Sequence, residues 1–217
     1  CVIPFIHLEA RSDARVAPCC MSQYFFKKDD GSEFHLGTDT LSDVWTSGAM
    51  RELRQSLKEG KRHPACIACW REEDTGKRSK RQRENHRWSA QIDRVRSASD
   101  DALAPIFLDL KLGNVCNLKC RICTPASSSK WIKEWVDLHG GSSRDMLMNW
   151  FETNPEFWTS LEAWLPGVEH FEIYGGEPFL IDRHFELLRY SVEKGWAANQ
   201  TVHYNNNGSI FPEAAVR

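Results

Sequence analysis

The sequence predicts an α/β fold: a parallel sheet of strand-helix repeats over residues 105–217, preceded by a small Cys-rich α+β unit over residues 1–75. Three observations predict it. After Pro105, short apolar runs rich in β-branched and aromatic residues alternate with helical patterns, the grammar of a parallel sheet with right-handed crossovers. Seven of the eight cysteines in 217 residues fall in close groups. Between the two units, residues 76–104 are polar and carry Lys77, Arg78, Lys80, Arg81, Arg83 and Arg87, which reads as a basic connecting helix or linker.

In the first unit, Val2 to Leu8 and Arg15 to Ala17 flank the polar stretch Glu9 to Asp13, a hairpin pattern that leads into Pro18-Cys19-Cys20. From Leu41 to Leu57 the period becomes helical. Trp45, Met50, Leu53 and Leu57 share a face, Ser42 is placed to cap the start, and Gly60 follows the end. In the second unit the predicted strands are Ile106 to Leu112, Val168 to Tyr174 and Thr201 to Tyr204. A helix is predicted from about Ala126, followed by a Trp-rich helical stretch to Leu165, and another runs from Asp182 to Lys194.

Hydrophobic residues at 41% and charged residues at 27% describe an ordinary globular protein, and no apolar run approaches the ~18 residues of a membrane helix. With no secretion signal, the expectation is a cytoplasmic protein without membrane contact. A net charge of -2 gives no overall attraction to nucleic acid, so such contact would need a local patch. The chain begins at Cys1 and stops at Arg217, shortly after a strand and turn, and reads as part of a longer protein.

The unusual motifs fall in the loops after the strands, where parallel folds carry their chemistry. Cys116, Cys120 and Cys123 give a C-x3-C-x2-C spacing directly after a strand. Three thiolates need a distant fourth ligand, such as His139, to close a zinc site, whereas they suit a cubane with one iron left open. Buried cysteines acting as small apolar residues are the remaining reading. After the next strand, Gly175-Gly176-Glu177-Pro178 lets backbone approach a ligand closely and places a carboxylate beside it. Asn206-Asn207-Gly208 follows the third.

With Ile122 immediately before its last cysteine, this loop resembles the radical S-adenosylmethionine (SAM) superfamily signature. Gly175-Gly176-Glu177 resembles that family's "GGE" motif, and Asn207-Gly208 its "TNG" turn with Asn206 in place of threonine. The resemblance implies a partial parallel (βα) barrel, a 4Fe-4S cluster on Cys116, Cys120 and Cys123, and SAM bound by Ile122, Gly175, Gly176, Glu177 and Asn207. Glu177 would take the methionine ammonium. It further implies reductive cleavage of SAM to a 5'-deoxyadenosyl radical and an electron donor such as flavodoxin or ferredoxin.

Cys1, Cys19, Cys66 and Cys69, with Cys20 as an alternative to Cys19, resemble the SPASM and twitch modules of the same superfamily. Those modules imply an auxiliary 4Fe-4S cluster and a peptide or protein substrate, although they generally follow the barrel, and Ala14 stands where a turn glycine is common. Four thiolates also make a structural zinc site. The competing function is a zinc-stabilised nucleic-acid-binding module in which Lys77 to Arg87 meet phosphates and Trp70 and Trp88 stack on bases.

Overall fold

The computed structural model describes residues 1–99 and 102–213. A short helix α1 (Ile3–Ile6) precedes strand β1 (His7–Ala10), which pairs antiparallel with β2 (Val16–Ala17), so the predicted hairpin is present. The residues read as its first strand, Val2 to Leu8, divide between that helix and β1. Ala14 turns the chain between the strands at φ 65, the left-handed region that a glycine enters without strain.

The helical pattern over 41–57 resolves into α2 (Leu41–Trp45) and α3 (Gly48–Lys58). Thr40 rather than Ser42 caps α2, in a reciprocal capping box with Asp43. Ser47 accepts from the Met50 amide and starts α3 anew, which is why one period becomes two helices. α4 (Ile67–Asp74) follows, and the connecting segment folds as α5 (Lys80–Arg87) and α6 (Ser89–Ser97).

Strands β3 (Phe107–Lys111), β4 (His170–Tyr174) and β5 (Thr201–Tyr204) lie where the sequence places them. Between β3 and β4 the helical stretch breaks into α7 (Ile132–His139), α8 (Ser143–Met146), α9 (Trp150–Thr153) and α10 (Pro155–Glu162). α11 (Arg183–Glu193) joins β4 to β5. The sheet order is β2-β1-β3-β4-β5, parallel throughout except for β2. β1 pairs in register with β3, so the sheet runs through both units read from the sequence.

Among the described residues this is a mixed α/β fold with an open sheet edged by β2 and β5, and the sheet does not close into a barrel. One face carries Leu8, Leu108, Leu110, Phe171 and Ile173, all fully buried in the continuous core. Asn154 ties α10 to the first unit, donating to the carbonyls of Leu36 (2.9 Å) and Asp39 (3.1 Å). Among the described residues no helix is long and apolar enough to cross a membrane.

Candidate metal centres

Cys1, Cys19, Cys66 and Cys69 line one cavity. β2 delivers Pro18-Cys19 to it, while Cys66 and Cys69 stand one turn apart at the start of α4. Ser22 Oγ donates to the Ala65 carbonyl (2.9 Å), clamping the Cys19 turn against the turn that carries Cys66. The wall is apolar, from Ile3, Pro4, Pro18 and Met21, and α5 closes it with Lys80 and Arg81.

Cys19 and Cys20 part company here. Burial pushes the Cys19 thiol up to about 12, with the neighbouring Cys20, Cys66 and Cys69 adding to the shift. Cys20 does not line this cavity. Its thiol is also raised by burial, but it lies beside Lys80, within reach of the charges of Glu9 and Asp109 on the sheet. Four thiols in one mostly apolar cavity, with Lys80 and Arg81 beside them to offset thiolate charge, are a donor set that fits a bound metal group.

The second centre is built at the carboxyl ends of β3, β4 and β5. Fully buried Asn114 holds the cysteine loop in shape. Its Nδ2 donates to the carbonyls of Pro125 and Met146 (both 2.7 Å), and its Oδ1 accepts from Met148 N (2.9 Å). Ser129 Oγ accepts from Cys116 N (3.2 Å), Ser128 Oγ donates to the Leu118 carbonyl (2.6 Å), and Trp131 Nε1 donates to that of Cys120 (2.9 Å). Cys116 is buried, Cys123 half-buried and Cys120 exposed. The Cys123 thiol is raised by burial first and then by the nearby Cys120 and Cys116.

The glycine loop fits against this loop from the side. Gly175 and Gly176 have φ of 99 and 58, and a Cβ on Gly176 would stand 2.1 Å from the Val115 carbonyl oxygen. Glu177 N donates to that oxygen at 2.8 Å. The Glu177 carboxylate has no exposure: Oε1 accepts from Phe179 N (3.1 Å) and Oε2 from Asn207 N (2.7 Å). Asn207 Nδ2 in turn donates to Asn117 Oδ1 (2.9 Å) and reaches Cys116 Sγ (3.8 Å). Gly175, Gly176, Glu177 and Asn207 thus join the cysteine loop, whereas the Ile122 side chain points outward, 95% exposed. Asn114, Ser128, Ser129 and Trp131 were not singled out in the sequence; a polar residue flanking a metal-type loop is the only signal they offer.

Among the described residues, no three His, Cys, Asp or Glu converge on a point where they could hold one metal ion. A cluster asks for something else, since each thiolate binds its own iron and the sulfurs stand apart. Residues 1–70 match the family model of SPASM, an iron-sulfur cluster-binding domain. SPASM domains bind auxiliary iron-sulfur clusters and are typical of radical SAM enzymes. No curated protein and no solved structure matches the chain. The SPASM match spans the cavity of Cys1, Cys19, Cys66 and Cys69 and ends before the second centre.

If the cavity of Cys1, Cys19, Cys66 and Cys69 holds a 4Fe-4S cluster, Cys19→Ser should lower the iron content by about four per chain, while Cys20→Ser should leave it unchanged. Iron and sulfide assays on anaerobically reconstituted protein check this; the reverse outcome would exchange the two roles.

The basic run is occupied within the fold at Lys80 and Arg81, while Lys77, Arg78, Arg83 and Arg87 are exposed. Arg81 forks onto Glu73 (2.9 and 2.5 Å) and lies 4.5 Å over the Trp70 ring, which Arg62 also approaches (5.4 Å). Lys80 pairs with Glu84 (3.1 Å), and Trp88 stacks on Phe107. Lys80, Arg81, Trp70 and Trp88 are thereby engaged within the fold, whereas Lys77, Arg78, Arg83 and Arg87 remain open to solvent.

Proposed function

We propose that this protein is a radical SAM enzyme with an auxiliary cluster in its SPASM domain. The observation that carries the proposal is the meeting of Cys116, the Gly175-Gly176-Glu177 loop and Asn207 at the carboxyl ends of three neighbouring parallel strands. Cys116, Cys120 and Cys123 would hold one 4Fe-4S cluster, and Cys1, Cys19, Cys66 and Cys69 the other. When bound, a cluster with one open iron supplies the electron that splits SAM into methionine and a 5'-deoxyadenosyl radical, which takes hydrogen from the substrate.

The chain's own part is positioning. Gly175 and Gly176, lacking side chains, let the glycine loop pack directly on the backbone of residues 111–115, which would set Glu177 and the loop beside SAM at the cysteine loop. Asn207 links Cys116 to Glu177 and sets the spacing of cysteine loop and glycine loop. Low-potential electrons would come from a flavodoxin or ferredoxin, and the substrate would be a peptide or protein, the class with which SPASM modules associate.

Reconstituted protein should hold about eight irons, and replacing Cys116, Cys120 and Cys123 together by Ala should leave about four. Electron paramagnetic resonance separates the sites: the reduced parent signal should shift on adding SAM, and the residual signal of the triple variant should not. An unchanged iron and sulfide content in the triple variant would sink the assignment.

A further inference from the structure

The face of the sheet opposite the apolar core is polar even where it is buried. The parallel register sets Glu9, Asp109, Glu172 and His203 opposite one another on β1, β3, β4 and β5. Residues paired across a sheet share a face, so these side chains form one continuous row. Glu9 and Asp109 are 0% and 2% exposed, Glu172 is half-buried and His203 is exposed, so the row opens toward β5.

The donors around the buried pair converge on one oxygen of each carboxylate. Lys111 Nζ donates to Glu9 Oε1, and the Arg11 guanidinium pairs with the same oxygen, its Nε 3.1 Å away without forming a hydrogen bond. The Tyr174 hydroxyl donates to Asp109 Oδ2 (2.8 Å), and His7 Nε2 lies 3.9 Å from the same atom. Glu9 Oε2 and Asp109 Oδ1 are buried and have no partner among the described residues. A carboxylate oxygen taken from water without a donor is costly, so the arrangement lacks a partner that brings N–H groups.

The position suits a substrate. Lys111 and Tyr174 are the last residues of their strands, directly before the cysteine and glycine loops, and ligands of open parallel sheets sit at those strand ends. The row's three carboxylates outnumber the two cations, Lys111 and Arg11, paired with it, which leaves an excess negative charge that favours a positive group, and a planar guanidinium or an ammonium offers several donors to two acceptors at once.

We propose that Glu9 and Asp109 bind the cationic side chain, guanidinium or ammonium, of the molecule this enzyme modifies. This rests on reading the protein as an enzyme with its reacting centre above β3 and β4. The polar row then selects a basic residue of a peptide and holds it beneath the cysteine loop.

The test uses N-acetyl-arginine amide and N-acetyl-lysine amide as probes, titrated calorimetrically into cluster-loaded protein without reductant. Saturable binding of at least one is expected, weakened at least tenfold in Glu9→Gln and in Asp109→Asn and unchanged in Glu193→Gln on the exposed side of α11. In the unmodified protein, the side-chain carboxyl carbon resonance of Glu9 should move with the same saturation, a readout that survives any failure of the variants to fold. Absence of saturable binding, a stationary Glu9 resonance, or equal affinity in all variants would overturn the proposal. Displacement of the probe by saturating SAM would assign the row to the cofactor's own ammonium and overturn it as a substrate site. Iron content measured on the same samples tests the radical SAM reading separately.

Discussion

Replacing Gly176 by alanine should destabilise the protein by about 3 kcal/mol and lower its melting temperature by roughly 6 to 12 °C. Two effects add. At φ 58 an alanine adopts a left-handed conformation that costs it ~1 to 2 kcal/mol. Its Cβ would also stand 2.1 Å from Val115 O and 2.8 Å from Val115 C, backbone atoms that cannot swing aside as a side-chain tip can. Relief requires the glycine loop to move off the cysteine loop, stretching the Glu177 N to Val115 O hydrogen bond, so cluster occupancy should fall along with stability. Gly195→Ala separates the contributions, because φ is 74 there and a Cβ would meet nothing within 4 Å. It carries the conformational cost alone, ~1 to 2 kcal/mol. Urea unfolding of both variants in the cluster-free state measures the difference, and equal losses would show that the two loops are not in contact.

How far the fold could be read in advance depended on whether the information was local. Strands β3, β4 and β5 were legible because each is a short stretch rich in β-branched, aromatic or aliphatic residues between turn or loop segments, with polar and apolar residues alternating in β4 and β5, and α11 because its apolar face repeats. The pairing of β1 with β3 was not, since it joins segments about a hundred residues apart and parallel pairing leaves no mark in either. The break between α2 and α3 was written in Thr46-Ser47-Gly48, but the apolar period runs across it and outweighs a single capping residue. At the candidate metal centres the cysteines announced themselves by spacing. The choice between Cys19 and Cys20 did not, because neighbouring residues share the same spacing and differ only in where the chain leaving β2 turns their side chains. Asn114, Ser128 and Ser129 were invisible for a related reason. Their value lies in carbonyls and amides of other loops, which the sequence does not place.

Removing the carboxylate of Glu177 should have the second large effect, and the geometry places it in stability before cofactor affinity. From the motif alone Glu177 would hold the methionine ammonium of SAM, and its loss would weaken SAM binding tenfold with the protein otherwise intact. In the structure the carboxylate is fully buried and accepts the amides of Phe179 and Asn207, one on each oxygen. Hydrogen bonds to a charged group are each worth ~1.5 to 3 kcal/mol, so Glu177→Ala should cost about 3 to 5 kcal/mol. Glu177→Gln keeps one acceptor oxygen, and about half of that loss is expected. The Asn207 bond spans 30 residues and is what fastens the turn after β5 to the glycine loop. Its loss should speed hydrogen exchange at the Asn207 amide in both variants, with the larger change in Ala. Asn207 also reaches the Cys116 sulfur, so a freed turn loosens the metal centre indirectly. SAM affinity should therefore fall in proportion to destabilisation across Glu177→Gln and Glu177→Ala. Unfolding free energies within about 0.5 kcal/mol of the parent, together with a tenfold loss of SAM binding, would return Glu177 to direct contact with the ammonium and remove it as the brace between these loops.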